Sequence, residues 1–286
     1  MKESDSMMPT MKGKVCMVTG ANRGLGKATA MGLAKLKAKV VLVCRDKTRG
    51  EEAQNEIQKA TNNNSVKVLL GDLYNLSSVR NLATEFTSNF ESLNVLVNAA
   101  AIFAPHRTLT LEGNELMFAT NYLGPFLLTN LLLKHLKKGA PSRIIVLSAP
   151  STTKIDFENL KAEKHFSALT AFGASKMADM LFTYELARRL EGSGVTANVL
   201  FPGVMKTDLM RNAPLFARVI TKLIGKSPEK GAEAAVYAVS SPDVEGETGR
   251  FFKGKEISSS NAYSNDPAIQ KRLWSESVKL TELMER

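Results

Sequence analysis

Short runs of Val, Leu and Ile alternate along this chain with longer stretches of helical character. That alternation constrains the fold more than any other feature. The runs at 15–19, 39–44, 66–71, 95–98 and 143–148 are followed by helical patterns at 25–37, 48–59, 76–89, 112–136 and 171–190, and a sixth run occupies 195–201. Strands that alternate with helices form a parallel sheet with helices on both faces. Near-continuous apolar strands fit burial on both sides. With the right-handed crossover rule, the pattern predicts a doubly wound, seven-stranded parallel α/β sheet in the order 3-2-1-4-5-6-7, the run 249–252 supplying the edge strand. The 286 residues suffice for one large domain. It is read over 12–265, with a lid at 204–226, a flexible leader at 1–11 and a helical tail at 266–286.

Composition narrows the function classes. A hydrophobic fraction of 44% is too high for a disordered chain. No run reaches the roughly 18 to 20 apolar residues that span a bilayer; the longest, 126–133, is interrupted by Thr129 and Asn130 and reads as a core helix. The first 11 residues lack the apolar region of a signal peptide. Cys16 and Cys44 lie in strand-like runs and read as reduced, buried thiols of a cytoplasmic protein. With three scattered His and no ligand spacing, no metal site is expected. A net charge of +10 can mean nucleic acid, anionic lipid or a phosphorylated ligand. The positive residues are spread along the chain, with clusters only at spacings of solvated helix faces, and no nucleic-acid-binding module is found, so nucleic acid is not expected.

The first strand runs straight into Gly20-Ala21-Asn22-Arg23-Gly24-Leu25-Gly26. Glycines at this spacing, between a strand and a helix, make a dinucleotide-binding turn. Gly20 permits the turn, Gly24 lets the backbone approach a pyrophosphate, and Gly26 packs helix on strand. Asn22, Arg23 and Leu25 complete the loop. The helix that follows offers N–H groups and a positive dipole end to the phosphates.

The spacing Thr-Gly-x-x-x-Gly-x-Gly from Thr19 resembles the short-chain dehydrogenase/reductase family, and the resemblance covers nearly the whole chain. Cys44-Arg45-Asp46 and the segments 121–129 and 181–186 look most like its retinol-dehydrogenase branch. The resemblance implies a Rossmann fold and a nicotinamide cofactor. It implies that Asp72, beside Leu73, contacts the adenine; that Asn98 and Ala99 stand in the family's Asn-Asn-Ala-Gly segment; that Asn121 is the structural and catalytic Asn; and that Pro202, Gly203, Val204 and Thr207 meet the nicotinamide carboxamide.

Cofactor choice follows from charge. A dinucleotide site that prefers NAD places an acid at the end of the second strand, where it would repel a 2′-phosphate. Here that strand ends in Arg45, and Arg23 lies in the glycine turn. Two guanidinium forks suit a dianionic phosphate. Asp46 comes too late and is expected to point away. The expectation is NADP(H).

The catalytic centre departs from the family's pattern. Where the family has Tyr-x-x-x-Lys, this chain reads Phe172-Gly173-Ala174-Ser175-Lys176, and Ala149 stands at the family's carbonyl-polarising Ser. Ser148 lies beside it but is expected on the other side of the strand. Of the usual set, Lys176 and Asn121 remain. His106, His165 and Tyr184 are the candidate substitute acids, each with a competing reading as a surface or packing residue.

Three readings stay open: atypical or non-redox catalysis on a lipophilic or cyclic substrate in the family's pocket; an ordinary carbonyl or alcohol oxidoreductase carrying inactivating substitutions; and a non-catalytic cofactor-binding partner protein. The lid carries Arg218, Lys222 and Lys226 at steps of four beside apolar residues. It reads as a helix on its own domain, a cover for a lipophilic substrate, or a membrane-surface contact. The breadth of the apolar helices suggests a homodimer, the helix of Phe172 and Lys176 pairing with the helix after the fourth strand.

Overall fold

The structure is a computed structural model that describes residues 10–206, 209, 211, 213, 219 and 223–284. Most of the leader lies outside these residues, as do Thr207, Arg218 and Lys222 of the lid.

Strands β1 (Val15–Thr19), β2 (Lys39–Cys44), β3 (Val66–Leu70), β4 (Val95–Asn98), β5 (Ser142–Leu147), β6 (Val195–Phe201), β7 (Phe251–Lys253) and β8 (Glu256–Ser258) form one sheet in the order β3-β2-β1-β4-β5-β6-β7-β8. The first seven are parallel, in the expected order. The sheet has an eighth strand that the sequence reading lacked: β8 turns back from β7 and pairs antiparallel, Phe252 opposite Ile257.

Alternate side chains of the strands feed two cores. Met17, Val41, Leu96, Ile144 and Val199 face one side, under α3 (Leu76–Asn89), α5 (Gly124–Lys138) and α6 (Ala168–Arg189). Cys16, Val18, Leu42, Val97 and Leu200 face the other, under α1 (Gly24–Lys35), α2 (Lys47–Thr61) and α7 (Pro228–Ser240). Burial lifts the Cys16 thiol to about 12, so it stays protonated. Helix starts follow capping chemistry. Asp46 accepts from the Arg49 N–H and Asn75 from the Ser78 N–H, while Ser227 precedes Pro228 and accepts from the Lys230 N–H.

A one-turn α4 (Leu116–Phe118) enters a π-turn at Ala119–Leu123 before α5 begins. The combined stretch Leu116–Lys138 is long and apolar enough to cross a membrane, with 78% of its most apolar window buried within the fold. This corrects the reading that no such segment exists.

The C-terminal helix α8 (Pro267–Leu280) packs on α5 and α6. Trp274 stacks on Phe182 with centroids 5.9 Å apart and meets Phe126 edge-on at 5.0 Å. The Arg189 guanidinium covers the indole at 4.1 Å, and Ser277 bonds the Tyr122 hydroxyl at 2.5 Å. As a result α6 is buried on all sides from Ser175 to Ala187. The outer face of α6, along which a two-fold pairing was expected, is covered by the chain's own α8.

Candidate functional site

At the carboxyl ends of β1, β4 and β5, where the strand order reverses, lies a cleft of about 630 Å³. Topology places a ligand site there, because the crossovers on either side of the reversal leave a crevice. Of the cofactor positions and the family's Ser, Tyr, Lys and Asn positions singled out from the sequence, all those described line it except Asn98 and Asn121. Thr207 lies outside the described residues.

The glycine turn is built for close approach. Gly20 and Gly24 hold positive φ angles of 65° and 52°. A Cβ on Gly26 would stand 2.4 Å from the Gly20 carbonyl oxygen, so only glycine lets α1 start this near the strand. No side chain caps α1, and its first turn holds no acid. The peptide N–H groups and dipole at this end suit a pyrophosphate. Thr19 fixes the opposite wall, its hydroxyl accepting from the N–H groups of Ala99 and Ala100 at 2.9 and 3.1 Å.

At one end of the cleft stand Arg45, Arg49, Asp46 and Asp72. The Asp46 carboxylate is engaged by the α2 cap and by the Arg49 guanidinium at 3.5 Å. Burial pushes the Asp72 carboxyl up, opposed by Arg45 nearby and by hydrogen bonds from Tyr74. Arg45 thus brings positive charge to the end of β2. The residues present fit a dinucleotide.

At the other end, Phe172 and Ala149 face the cleft and neither carries a hydroxyl. Phe172 packs edge-on against Phe103, in a cluster with Met117, Leu209 and Ala213. The Lys176 Nζ lies 5.8 Å from the Phe172 ring centroid and 2.9 Å from Oδ2 of Asp179. Ser148 donates to the Lys176 carbonyl at 3.1 Å. Asn121 sits in the π-turn with both amide atoms engaged: Oδ1 accepts from the Ile102 N–H, and Nδ2 donates to the Ile102 carbonyl and to Ser175 Oγ. It ties the loop after β4 to α6 rather than reaching the cleft. Asn98 is buried behind the wall, donating to Thr129 at 3.0 Å with its Oδ1 unpaired.

None of the candidate substitute acids lines the cleft. His106 is exposed, and Tyr184 donates to Ser260 at 2.9 Å. His165 is exposed beside Asp156 at 3.8 Å. The sequence reading missed Asp179, Met205, Lys206 and Arg211. The spacing Lys-x-x-Asp, one helical turn, was the signal for the first.

Comparison with known proteins adds to this geometry. A family model described as short chain dehydrogenase matches residues 14–216. Retinol dehydrogenase 14 of Mus musculus is 40% identical over 282 residues, covering 92% of this chain and 84% of that protein. Retinol dehydrogenase 13 of Mus musculus is 41% identical, covering 96% and 85%. Among solved structures, an uncharacterized protein from Mycobacterium paratuberculosis superposes with a TM-score of 0.79 at 31% identity, covering 96% of each chain. These relatives, with the apolar stretch Leu116–Lys138, overturn the cytoplasmic assignment drawn from composition and cysteine usage.

Proposed function

Because this chain belongs to the short-chain dehydrogenase family and is related to the retinol dehydrogenases, we propose that it is an NADP(H)-binding member that holds a lipophilic small molecule and works without the family's hydroxyl acid. The family uses a nicotinamide cofactor, which when bound supplies or accepts a hydride. Here the glycine turn and the start of α1 would hold the pyrophosphate, Arg45 and Arg23 a 2′-phosphate, and Lys176 the ribose next to the nicotinamide.

The observation that carries this reading is the chemistry of the reacting end. The lining residues from the β5 end and α6 are Leu147, Ser148, Ala149, Phe172 and Lys176. Lys176 is the one titratable group among them, and the Ser148 hydroxyl is engaged with the Lys176 carbonyl. Loss of a positioned acid costs roughly 10² to 10⁴ in rate. Loss of an oxyanion donor costs about 10² to 10³, and losses within one unit do not add. Phe103, Phe172 and Leu209 favour an apolar substrate.

The test is NADPH binding by fluorescence and NADPH consumption across apolar aldehydes and ketones, in the natural chain and in Ala149→Ser/Phe172→Tyr. The expected result is NADPH binding without carbonyl reduction in the natural chain. Ordinary reductase rates there would overturn the reading. Reductase activity gained by the double variant would instead mark a disabled ordinary oxidoreductase, a reading favoured by the Tyr-like ring retained at Phe172.

A further inference from the structure

We propose that Asp179 is a positioning residue for the cofactor site, its carboxylate competing with a bound dinucleotide for the Lys176 ammonium. This rests on the NADP(H) reading of the cleft and assigns a residue behind its wall.

Lys176 and Asp179 lie one turn apart on α6, with Nζ 2.9 Å from Oδ2. Their side chains are 6% and 2% exposed. Lys176 lines the cleft and Asp179 does not. The pair therefore straddles the wall, cation toward the ligand and anion inside. A buried carboxylate needs compensation. The compensating groups are Lys176 on its own helix and Ser148 at the end of β5, whose one hydroxyl proton can turn to either the Asp179 carboxylate or the Lys176 carbonyl. From the π-turn packed against α6, the titratable group that faces Asp179 is Tyr122. Burial pushes the Tyr122 hydroxyl far up, so it stays neutral and bonded to Ser277. Among the described residues, then, Lys176 is the cation that answers the Asp179 charge.

The ammonium has three N–H donors, so a ligand that accepts from Lys176 shares it with this carboxylate, and the pull of Asp179 on Nζ opposes its movement toward the ligand. Neutralising Asp179 weakens that hold. Burial raises the Asp179 carboxyl to about 6. It is charged above that pH, where competition is present, and neutral below it, where competition fades.

The experiment is calorimetric titration of the full chain with NADP⁺ between about pH 5 and pH 8. It compares the natural protein with Asp179→Asn and Ser148→Ala, each first checked for folding by circular dichroism. Ratios between proteins cancel the ionisation of the ligand's own phosphate. Asp179→Asn is expected to bind roughly tenfold tighter at about pH 8 and within about twofold at about pH 5. Ser148→Ala removes a group that favours the charged carboxylate. It is expected to bind tighter than the natural chain around neutrality, with the advantage fading toward acid. A purely structural role for Asp179 gives ratios flat with pH, which overturns the proposal, as does weaker binding by Asp179→Asn at about pH 8. If Asp179→Asn fails to fold, the Ser148→Ala ratio decides alone, and a flat ratio overturns the proposal. Absence of NADP⁺ binding by every protein at every pH overturns both the cofactor reading and this one. Binding with flat ratios overturns this one only.

Discussion

The ring of Phe172 meets that of Phe103 edge to face, with centroids 5.7 Å apart and planes at 60°. The family's acid position is thus tied by an aromatic contact to the loop after β4, and through the same cluster to Leu209 and Ala213. Removing the ring takes away this contact and opens the cleft. Phe172→Ala is expected to lower stability by about 2 kcal/mol, below the range for a fully buried Phe because this ring is half-buried. Phe172→Tyr is expected to stay within about 0.5 kcal/mol. Urea denaturation of both variants checks this; equal losses would show that the hydroxyl, not the ring, decides fit.

Arg45 ends β2 beside the cleft while Asp46 is held by its helix cap. Arg45→Ala is expected to weaken NADPH by about 1.5–3 kcal/mol, the scale of a lost charge-assisted bond, and NADH by little. Fluorescence titration with each cofactor reads the ratio. A ratio unchanged by the substitution removes Arg45 from the 2′-phosphate site.

Lys176→Ala leaves the Asp179 carboxylate buried without its cation. The Asp179 carboxyl is already raised to about 6, above an unfolded value of 3.8. A raised carboxyl contributes stability that is fully present below the unfolded value and lost as pH rises through the folded one. Lys176→Ala raises the folded value further, so the loss continues to higher pH. The variant is expected to be destabilised by about 3 kcal/mol at about pH 8 and by much less at about pH 4. Denaturant midpoints at the two pH values test the sign; a greater loss in acid would contradict it.

Asn121 satisfies both the N–H and the carbonyl of Ile102 and also bonds Ser175. Asn121→Ala strands buried backbone groups and is expected to cost about 2–4 kcal/mol. Faster hydrogen exchange should appear around residues 100–104 and 172–176. Exchange unchanged at both segments would rule out the tie.

Trp274→Ala removes the stacking on Phe182 and the edge contact with Phe126. A loss of about 3–5 kcal/mol is expected. Calorimetric unfolding measures it, and a loss under about 1 kcal/mol would mean that α8 is not held through this ring.

Much of this was legible because strands buried on both faces announce themselves as apolar runs and the glycine turn has a steric reason for each glycine. What escaped notice left weaker traces. β8 is three exposed residues after a turn, with no apolar pattern to read. Asp179 lies in a helix buried all round from Ser175 to Ala187, where no polar face marks which charges point inward. Asn121 and Asn98 carried the right motif, but motif position did not say whether a side chain meets a ligand or its own backbone. The tail helix was legible, but the sequence did not say which part of the fold it covers.

That helix has a consequence for how the protein comes into being. The glycine turn, β1 to β4 and their helices are all synthesised before residue 140, but the helix that carries Lys176 keeps an open apolar flank until residues 267–280 have been made. During synthesis, the nucleotide half can assemble while Phe126 of α5 and Phe182 of α6 still lack the cover of Trp274. The nascent chain is therefore most vulnerable to wrong association, and most in need of a chaperone, in the interval between its two halves.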